Sequence, residues 1–509
     1  MRTPYTFALC ILVSGAFAQA GTLDPSFDGD GIAICGFAGL PSNGQAVAVQ
    51  ADQKIVEVGW ADYAPEQKFA VARYNTDGTL DNTFSGDGWL FTPVNSADAE
   101  AFAVAIQADQ KILVGGTAFT DLFYYGFGLV RYNTDGTLDA SFGTNGKVTT
   151  LVGGGPSQSR AIAVQADGKI LMTGWSYAGG PDSVGVVRYN ANGTVDAGFG
   201  VGGVVSVGGT GNMDAYAIAV QPDGKIVVAG DSGFVSAART FVLRLNADGT
   251  PDASFGNGGL TTASMGTGAS EGFSLALQSD GKIITCGRSN STGNYDLILF
   301  RFNADGTLDN TFDGDGKVST ALTAGNDAGR AVAVQPDGKI LAAGSRDELG
   351  TFGIALVRYL ANGTPDNTFG TNGVAPSPTG LGYGICLQAD GRVVVGGRGE
   401  TDVFSTWRYF TDAGGTGVDE VLQPIDASTI YPNPATDQVV LSYVLHATAA
   451  VTCTVFGADG RMVDGYSSKA MRSAGQQRET IDVSRLASGS YLVVLSAGGS
   501  RRSVPFAKQ

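Results

Sequence analysis

Short runs of alternating apolar and small or polar residues fill most of this chain, for example AVAVQ, KILVGG and FGLVRYN. A period of two residues predicts β-strands, and the 3.6-residue period of amphipathic helices does not interrupt it. Each group of three runs is followed by a turn of the form DGTLDxxF and by a shorter extended piece such as GKVTT. The pattern therefore predicts a repeating unit of four short strands.

The unit recurs seven times, at intervals of 53 to 58 residues. A signature of the form Q-x-D-G-K-I, with small variations, marks the copies by its aspartate at Asp52, Asp109, Asp167, Asp223, Asp280, Asp337 and Asp390. One four-stranded sheet cannot bury both of its faces, whereas seven sheets arranged radially can. A parallel β-helix, the alternative, has shorter repeats. We therefore expect an all-β fold with a seven-bladed β-propeller over residues 21–410.

An arginine in the third run and an aspartate in the following turn recur eight residues apart. The six complete pairs are Arg73 and Asp81, Arg131 and Asp139, Arg188 and Asp196, Arg244 and Asp252, Arg301 and Asp309, and Arg358 and Asp366. Arg408 lacks such an aspartate, and Asp24 in GTLDPSFDGDG lacks a preceding arginine. We therefore expect the N-terminal segment to complete the seventh blade, pair Asp24 with Arg408 and remove an exposed strand edge.

The N-terminus and the cysteines predict an exported protein. Residues 1–20, MRTPYTFALCILVSGAFAQA, combine one arginine, an apolar centre and small terminal residues, which predicts a signal peptide cleaved near Ala18 or Ala20. No later run reaches the 18 apolar residues of a transmembrane helix, so none is expected. The mature cysteines are scattered, at Cys35, Cys286, Cys386 and Cys453. We interpret them as isolated buried thiols, although export also permits a disulfide.

The composition changes after the last repeat. Residues 411–427 are rich in Gly, Thr and Asp, as expected of a linker. Residues 428–509 contain further alternating runs, broken by Gly and Asp turns. They predict a second domain, a small β-sandwich.

Both regions resemble known families. Residues 21–410 resemble the bacterial delta-60 repeat, through FAVARYNTDG, and more distantly the NHL class of propellers, through IAVQADGKI. This resemblance implies a secreted bacterial propeller without a defined activity. Residues 428–509 resemble the type A C-terminal sorting domain of the type IX secretion system, through YPNPATD, FGADGRMV, ASGSYLVVL and the basic end around Lys508. That implies passage through the periplasm of a Bacteroidetes-type bacterium, recognition by the type IX machinery, and a final place on the outer cell surface or in the medium.

Several kinds of chemistry are excluded by the residue types present. His446 is the only histidine and lies in the second domain, so the propeller has no Ser-His-Asp or Cys-His site and no His-ligated zinc. The net charge of −16, without a basic stripe, excludes nucleic acid as a partner. The repeated Arg and Asp fit structural pairs, so we assign no catalytic residue, no metal ligand and no cofactor. For the NTDGTLD turns, an Asx turn and a non-EF-hand calcium site are the alternatives, because an EF-hand register would make Arg73 a ligand.

Function is expected on the face opposite the DGK and DGTLD turns, where the connecting segments differ between copies. Aromatic residues concentrate in those segments, at Trp60, Phe123, Tyr124, Tyr125, Trp175, Tyr177 and Tyr295. They suit stacking on sugars or anchoring of a protein partner, and local packing between blades is the alternative. We predict a secreted or surface binding module for a glycan or protein. The competing interpretations are a carboxylate-based polysaccharide hydrolase or lyase and a purely structural surface protein.

Overall fold

The computed structural model describes residues 19–412 and 425–509, except for 96, 121–123, 178, 210, 234–236, 349, 446–448, 458–461, 474, 498 and 499. The predicted signal peptide, Phe123, His446 and most of the predicted linker lie outside the described residues. The chain divides into two compact units, with the division between residues 415 and 416. In the described part, strands dominate both units, and a short 3-10 turn lies at Phe37–Gly39. None of the helical structure described is long and apolar enough to cross a membrane.

Within residues 19–412, the described strands form seven antiparallel sheets, numbered here along the chain. Sheets 1 to 5 have four strands in chain order. Sheet 1 contains β2 (Ser42–Val49), β3 (Ile55–Tyr63), β4 (Glu66–Tyr74) and β5 (Trp89–Thr92). Sheet 2 contains β6 (Ala99–Ile106), β7 (Ile112–Phe119), β8 (Tyr125–Tyr132) and β9 (Lys147–Thr150). Sheet 3 contains β10 (Ser157–Val164), β11 (Ile170–Ser176), β12 (Ser183–Tyr189) and β13 (Val204–Val207).

The remaining sheets follow the same order. Sheet 4 contains β14 (Met213–Val220), β15 (Ile226–Ser232), β16 (Arg239–Leu245) and β17 (Leu260–Ala263). Sheet 5 contains β18 (Ser270–Leu277), β19 (Ile283–Ser289), β20 (Asp296–Phe302) and β21 (Lys317–Thr320). Sheet 6 contains β22 (Ala328–Val334), β23 (Ile340–Glu348) and β24 (Thr351–Tyr359). Sheet 7 contains β25 (Leu381–Leu387), β26 (Val393–Arg398) and β27 (Phe404–Tyr409), with β1 (Ile32–Cys35) as its fourth strand.

Sheet 6 departs from the expected four strands. Its fourth position holds only isolated bridges, from Val374 to Val357 and from Thr379 to Gly353. Pro376 lies between these bridges, and a proline has no N–H to donate to a ladder. The outer edge of sheet 6 is therefore an extended segment rather than a regular strand.

The N-terminal segment lies along the last strand of sheet 7. Strand β1 pairs antiparallel with β27, with Cys35 opposite Phe404. The Asp24 N–H donates to the Arg408 carbonyl at 2.8 Å, as the Asp81 N–H donates to the Arg73 carbonyl at 2.9 Å. Residues at the two ends of the first unit therefore share one sheet.

The repeated ionic residues form one network. In each of the seven pairs, including Arg408 with Asp24, the arginine Nε donates to the aspartate Oδ2 at 2.7–2.9 Å. The same aspartate contacts the cation of the Q-x-D-G-K signature, as in Lys54 with Asp81 at 2.9 Å. Burial opposes ionisation, but hydrogen bonds from Thr311 and the charges of Arg301 and Lys282 lower the pKa of Asp309 to about 2. The repeated charges are thus engaged in holding the scaffold.

The same arginines connect neighbouring sheets. Each guanidinium lies over the phenylalanine of its own DGTLDxxF turn, or the equivalent Phe27 for Arg408, with Cζ 4.3–4.6 Å from the ring centroid. Its Nη1 donates to a backbone carbonyl in the corresponding turn of the next sheet, as Arg73 does to Thr134. The series ends with Arg408, whose Nη1 donates to the Thr76 carbonyl of sheet 1. The hydrogen bonds thus run from each sheet to the next and from sheet 7 to sheet 1.

Glu57 is a buried carboxyl between sheets 1 and 7. It is 0% exposed, and the other sheets have Val, Met, Thr or Ala at this strand position. Its carboxyl accepts hydrogen bonds from the Gly397 N–H at 2.9 Å, the Thr406 hydroxyl at 2.8 Å and the Tyr74 hydroxyl at 3.3 Å. Burial outweighs these bonds and raises the pKa of Glu57 to about 8. The carboxyl is therefore neutral at pH 7 in the folded chain.

Replacing Glu57 should change how stability depends on pH. The folded pKa lies above that of an unfolded glutamate, so folding holds a proton, and stability falls as pH rises from about 5 through 8. We expect the urea midpoint of the parent to fall between pH 6 and pH 9, and that of Glu57→Gln to fall less. Unfolding curves of both proteins at these two pH values give the comparison. Equal declines would show that Glu57 titrates normally.

The second unit is a two-sheet sandwich. One sheet contains β28 (Ile425–Tyr431), β29 (Gln438–Leu445) and β32 (Gly475–Asp482). The other contains β30 (Ala449–Gly457), β31 (Met462–Arg472), β33 (Gly489–Ala497) and β34 (Ser500–Lys508). Side chains from both sheets, such as Leu441 and Val493, share one buried core. Strand β28 begins three residues before residue 428, where the second domain is expected to start.

Candidate functional site

One residue in the first strand of each sheet does not follow the repeated sequence. The first strand of every sheet has a β-bulge, an extra residue that has no partner opposite, five residues before the glutamine of the Q-x-D-G-K signature. We call these residues the bulge ring: Gln45, Phe102, Arg160, Tyr216, Phe273, Arg330 and Tyr383. All seven are partly exposed. The flanking residues are mostly Ala, Gly, Val or Ile, so the scaffold repeats while this position varies.

Members of the bulge ring contact one another across sheets. Arg160 Cζ lies 4.2 Å from the Phe102 ring centroid, and Arg330 Cζ lies 4.3 Å from that of Phe273. The Tyr216 and Phe273 rings meet edge to face at 5.3 Å. The first strands of neighbouring sheets also contact each other, including β2 with β25. These side-chain contacts bring five of the seven side chains against a bulge-ring residue of another sheet.

A second tier lies closer to the variable segments. Two residues before each bulge residue, the first strand pairs directly with the second strand. We call these pairs the mouth positions: Asn43 with Trp60, Glu100 with Thr117, Gln158 with Trp175, Asp214 with Asp231, Glu271 with Arg288, Ala328 with Ser345, and Leu381 with Arg398. They too differ from sheet to sheet. The bulge ring and the mouth positions together form the candidate site.

Sheet 4 contributes two carboxyl groups to the site whose pKa values are raised. Burial and the charge of Asp182 raise the pKa of Asp214 to about 6. Burial, then repulsion from Asp214 and Glu271, raises the pKa of Asp231 to about 7. Glu271 is instead held by Arg288 at 2.8 Å and by the Tyr295 hydroxyl at 3.2 Å. The site thus contains two carboxyls that change charge near neutral pH beside one that is fixed by an ion pair.

Two arginines of the bulge ring form no ion pair within 4.0 Å among the described residues. Arg160 donates from Nη2 to Gln158 at 3.1 Å, and its Nε has no partner among the described residues. The Nε of Arg330 is likewise unpartnered within the described part of the chain. Burial lowers the pKa of both guanidinium groups, while the charges of Glu100 and Asp214 oppose this shift for Arg160 and that of Glu271 opposes it for Arg330. Each guanidinium nevertheless keeps a buried N–H group without an acceptor among the described residues.

The aromatic residues predicted from the sequence do not form one cluster. Trp60 and Trp175 occupy mouth positions, and the Trp175 indole N–H donates to Gln158 at 3.3 Å. Tyr295 reaches the mouth through Glu271. Tyr124, Tyr125 and Tyr177 are exposed, and no ring contact joins any two of these six residues in the described structure.

Sequence reasoning missed the bulge ring because the alternating pattern makes its members look like ordinary strand residues. The available signal was variation at a fixed distance before each repeated glutamine. Where most strand positions repeat, the one that changes from Gln to Phe, Arg or Tyr is free of the packing constraint. In the described residues, no group of three or more His, Cys, Asp or Glu is arranged to hold a metal ion.

Comparison with known proteins identifies the repeat. The family described as a domain of unknown function (DUF5122) with a β-propeller matches residues 50–84, 107–142, 165–199, 221–255, 278–312 and 335–369. The chain thus carries six DUF5122 β-propeller repeats, and the predicted propeller repeat is confirmed. A comparison with curated proteins finds no match.

The second unit is a sorting signal. The family described as a secretion system C-terminal sorting domain matches residues 429–505. This confirms the predicted type IX sorting domain, and the protein is exported to the cell surface or secreted.

The solved structures that match most of this chain are remote in sequence. Polysaccharide lyase Uly1 is 14% identical, with a TM-score of 0.44, and the match covers 72% of this chain and 90% of that one. A PL25 ulvan lyase is 11% identical, with a TM-score of 0.43 and coverage of 78% and 95%. Sqt1 from Chaetomium thermophilum is also 11% identical, with a TM-score of 0.37 and coverage of 79% and 94%. Values this low carry no argument about function.

Proposed function

We propose that this exported chain of β-propeller repeats is a closed seven-bladed propeller that binds a glycan at the bulge ring and mouth positions. Closure is supported by the pairing of β1 with β27 and by the hydrogen bond from Arg408 to Thr76. Export through the type IX system places the propeller outside the cell, where polysaccharides are accessible to it.

One observation carries the proposal: seven nearly identical sheets present different side chains at three registered positions. Holding the scaffold together requires no such variation, whereas recognition of a ligand requires particular side chains at particular positions. The set suits a polyhydroxylated ligand, because carboxylates and guanidinium groups pair with hydroxyls and aromatic faces pack on apolar sugar faces. The exposed tyrosines 124, 125 and 177 lie outside this set and are not required.

A second candidate is a polysaccharide-active enzyme. Asp214 and Asp231 face each other across β14 and β15, and the pKa values of the two, about 6 and 7, allow one to be protonated while the other is ionised. Paired carboxyls with separated pKa values are what general acid and base chemistry on a glycosidic bond requires. Loss of polymer cleavage in Asp231→Asn, with binding retained, would favour this candidate.

The test is a glycan array with the full-length mature chain. We expect binding to a limited set of glycans and at least a 10-fold loss of affinity for a hit in Tyr216→Ala, which removes a ring at the centre of the site. Tyr124→Ala is the matched control, because it removes an exposed tyrosine outside the site. If Tyr124→Ala weakens binding and Tyr216→Ala does not, the ligand binds at the outer loops. An array without hits would leave a protein partner or a structural role.

A further inference from the structure

We propose that the glycan is anionic and that its carboxylate or sulfate groups bind at Arg160 and at Arg330. This inference rests on the proposed function and specifies the class of ligand.

Both guanidinium groups keep N–H donors that the described chain does not use. Neither has a carboxylate within 4.0 Å among the described residues, and both retain an unpartnered Nε. A buried N–H group without an acceptor destabilises a fold, and nothing in the repeat requires an arginine at the bulge. Phe102, Tyr216 or Gln45 stands in the same place in other sheets. The two arginines are therefore best explained by a ligand that supplies the missing acceptors.

Aromatic rings fix the orientation of both guanidinium groups. Phe102 supports Arg160 and Phe273 supports Arg330, with Cζ 4.2 and 4.3 Å from the ring centroids. Guanidinium planes held on aromatic faces keep their remaining N–H groups free in one direction, and this fork matches a carboxylate or sulfate. Preorganisation of this kind lowers the entropy lost on binding.

The carboxylates near Arg160 favour a sugar over an acidic peptide as the ligand. Asp214 and Glu100 lie beside Arg160, close enough to interact electrostatically with it. They would repel the many carboxylates of an acidic peptide, whereas they can accept hydrogen bonds from sugar hydroxyls. The net charge of −16 also opposes nonspecific attraction of polyanions. Binding of an acidic polymer would therefore depend on these two arginines.

The experiment is calorimetric titration of the full-length mature chain at 0.15 M salt with three polymers. Alginate carries carboxylates, dextran sulfate carries sulfates, and dextran is neutral. We expect one or both acidic polymers to bind at least 10-fold more tightly than dextran. Arg160→Met and Arg330→Met should each weaken that binding at least about 30-fold. Arg330→Lys should recover part of it, because it restores the charge without the fork.

Controls separate binding from folding. Arg239→Met removes an exposed charge from the start of β16 and should leave affinity unchanged. Arg160→Met and Arg330→Met should melt no lower than the parent, because each removes a buried N–H group that has no acceptor. Equal affinity for all three polymers, or affinity that survives Arg160→Met and Arg330→Met, would overturn the anionic ligand while leaving glycan binding intact. An absence of binding to these polymers together with an array without hits would overturn both.

Discussion

Deleting residues 21–34 from the mature chain should strongly destabilise the first unit. The deletion removes Asp24, Phe27 and most of β1, which leaves β27 as an open edge. Loss of a buried phenylalanine side chain costs about 3–5 kcal/mol, and breaking a buried ion pair costs about as much again. Together these losses are comparable to the whole stability of a typical domain, about 5–15 kcal/mol. We expect aggregation or a melting transition lowered by more than about 10 °C.

Point variants calibrate this result. Asp24 is fully buried and contacts Arg408 and Arg392, so Asp24→Ala should destabilise the protein by about 3–5 kcal/mol. Asp81→Ala should cost a similar amount, because Asp81 makes the same contacts with Arg73 and Lys54 inside sheet 1. Thermal unfolding followed by circular dichroism ranks the three variants. A deletion mutant as stable as the parent would contradict closure by the N-terminal strand.

Deleting residues 425–509 should stop the protein from reaching the cell surface or the medium. This segment contains all the described residues of the second unit and includes the sorting domain matched at residues 429–505. Because the first unit has its own buried cores, it should fold without the second and accumulate in the periplasm. Fractionation with immunodetection of the propeller measures its location, and protease resistance of the retained protein reports its folding.

The matched control for export is the full-length chain carrying Arg239→Met, which leaves the second unit intact and should reach the surface at parental levels. Surface display of the truncated protein at parental levels would contradict the sorting role. Degradation of the truncated chain would instead show that the propeller depends on the second unit for stability.

The parts of the fold that repeat were accessible from the sequence. The eight-residue spacing of Arg and Asp reports a constant geometry, so the unmatched Asp24 and Arg408 could be assigned to each other before any coordinates. Prolines 376 and 378 also signal that sheet 6 lacks a regular fourth strand. The role of Glu57 could not be predicted from the sequence, because its hydrogen-bond partners Gly397 and Thr406 are 340 and 349 residues away. Loop aromatics drew attention from the bulge ring, whose members become neighbours only when the sheets are arranged around one centre.

Hydrogen–deuterium exchange of the full-length mature chain, with and without a glycan that binds it, shows whether the ligand binds at the bulge ring and mouth positions. Amide exchange reports local opening of backbone hydrogen bonds, and a bound ligand slows it where it contacts the chain. We expect the bound glycan to slow amide exchange in peptides that cover the bulge ring and mouth positions, such as those around Arg160, Tyr216 and Arg330. We expect little change in exchange around Tyr124 and Tyr177. Protection confined to the outer loops, with no change in the first strands of the sheets, would contradict a central binding site.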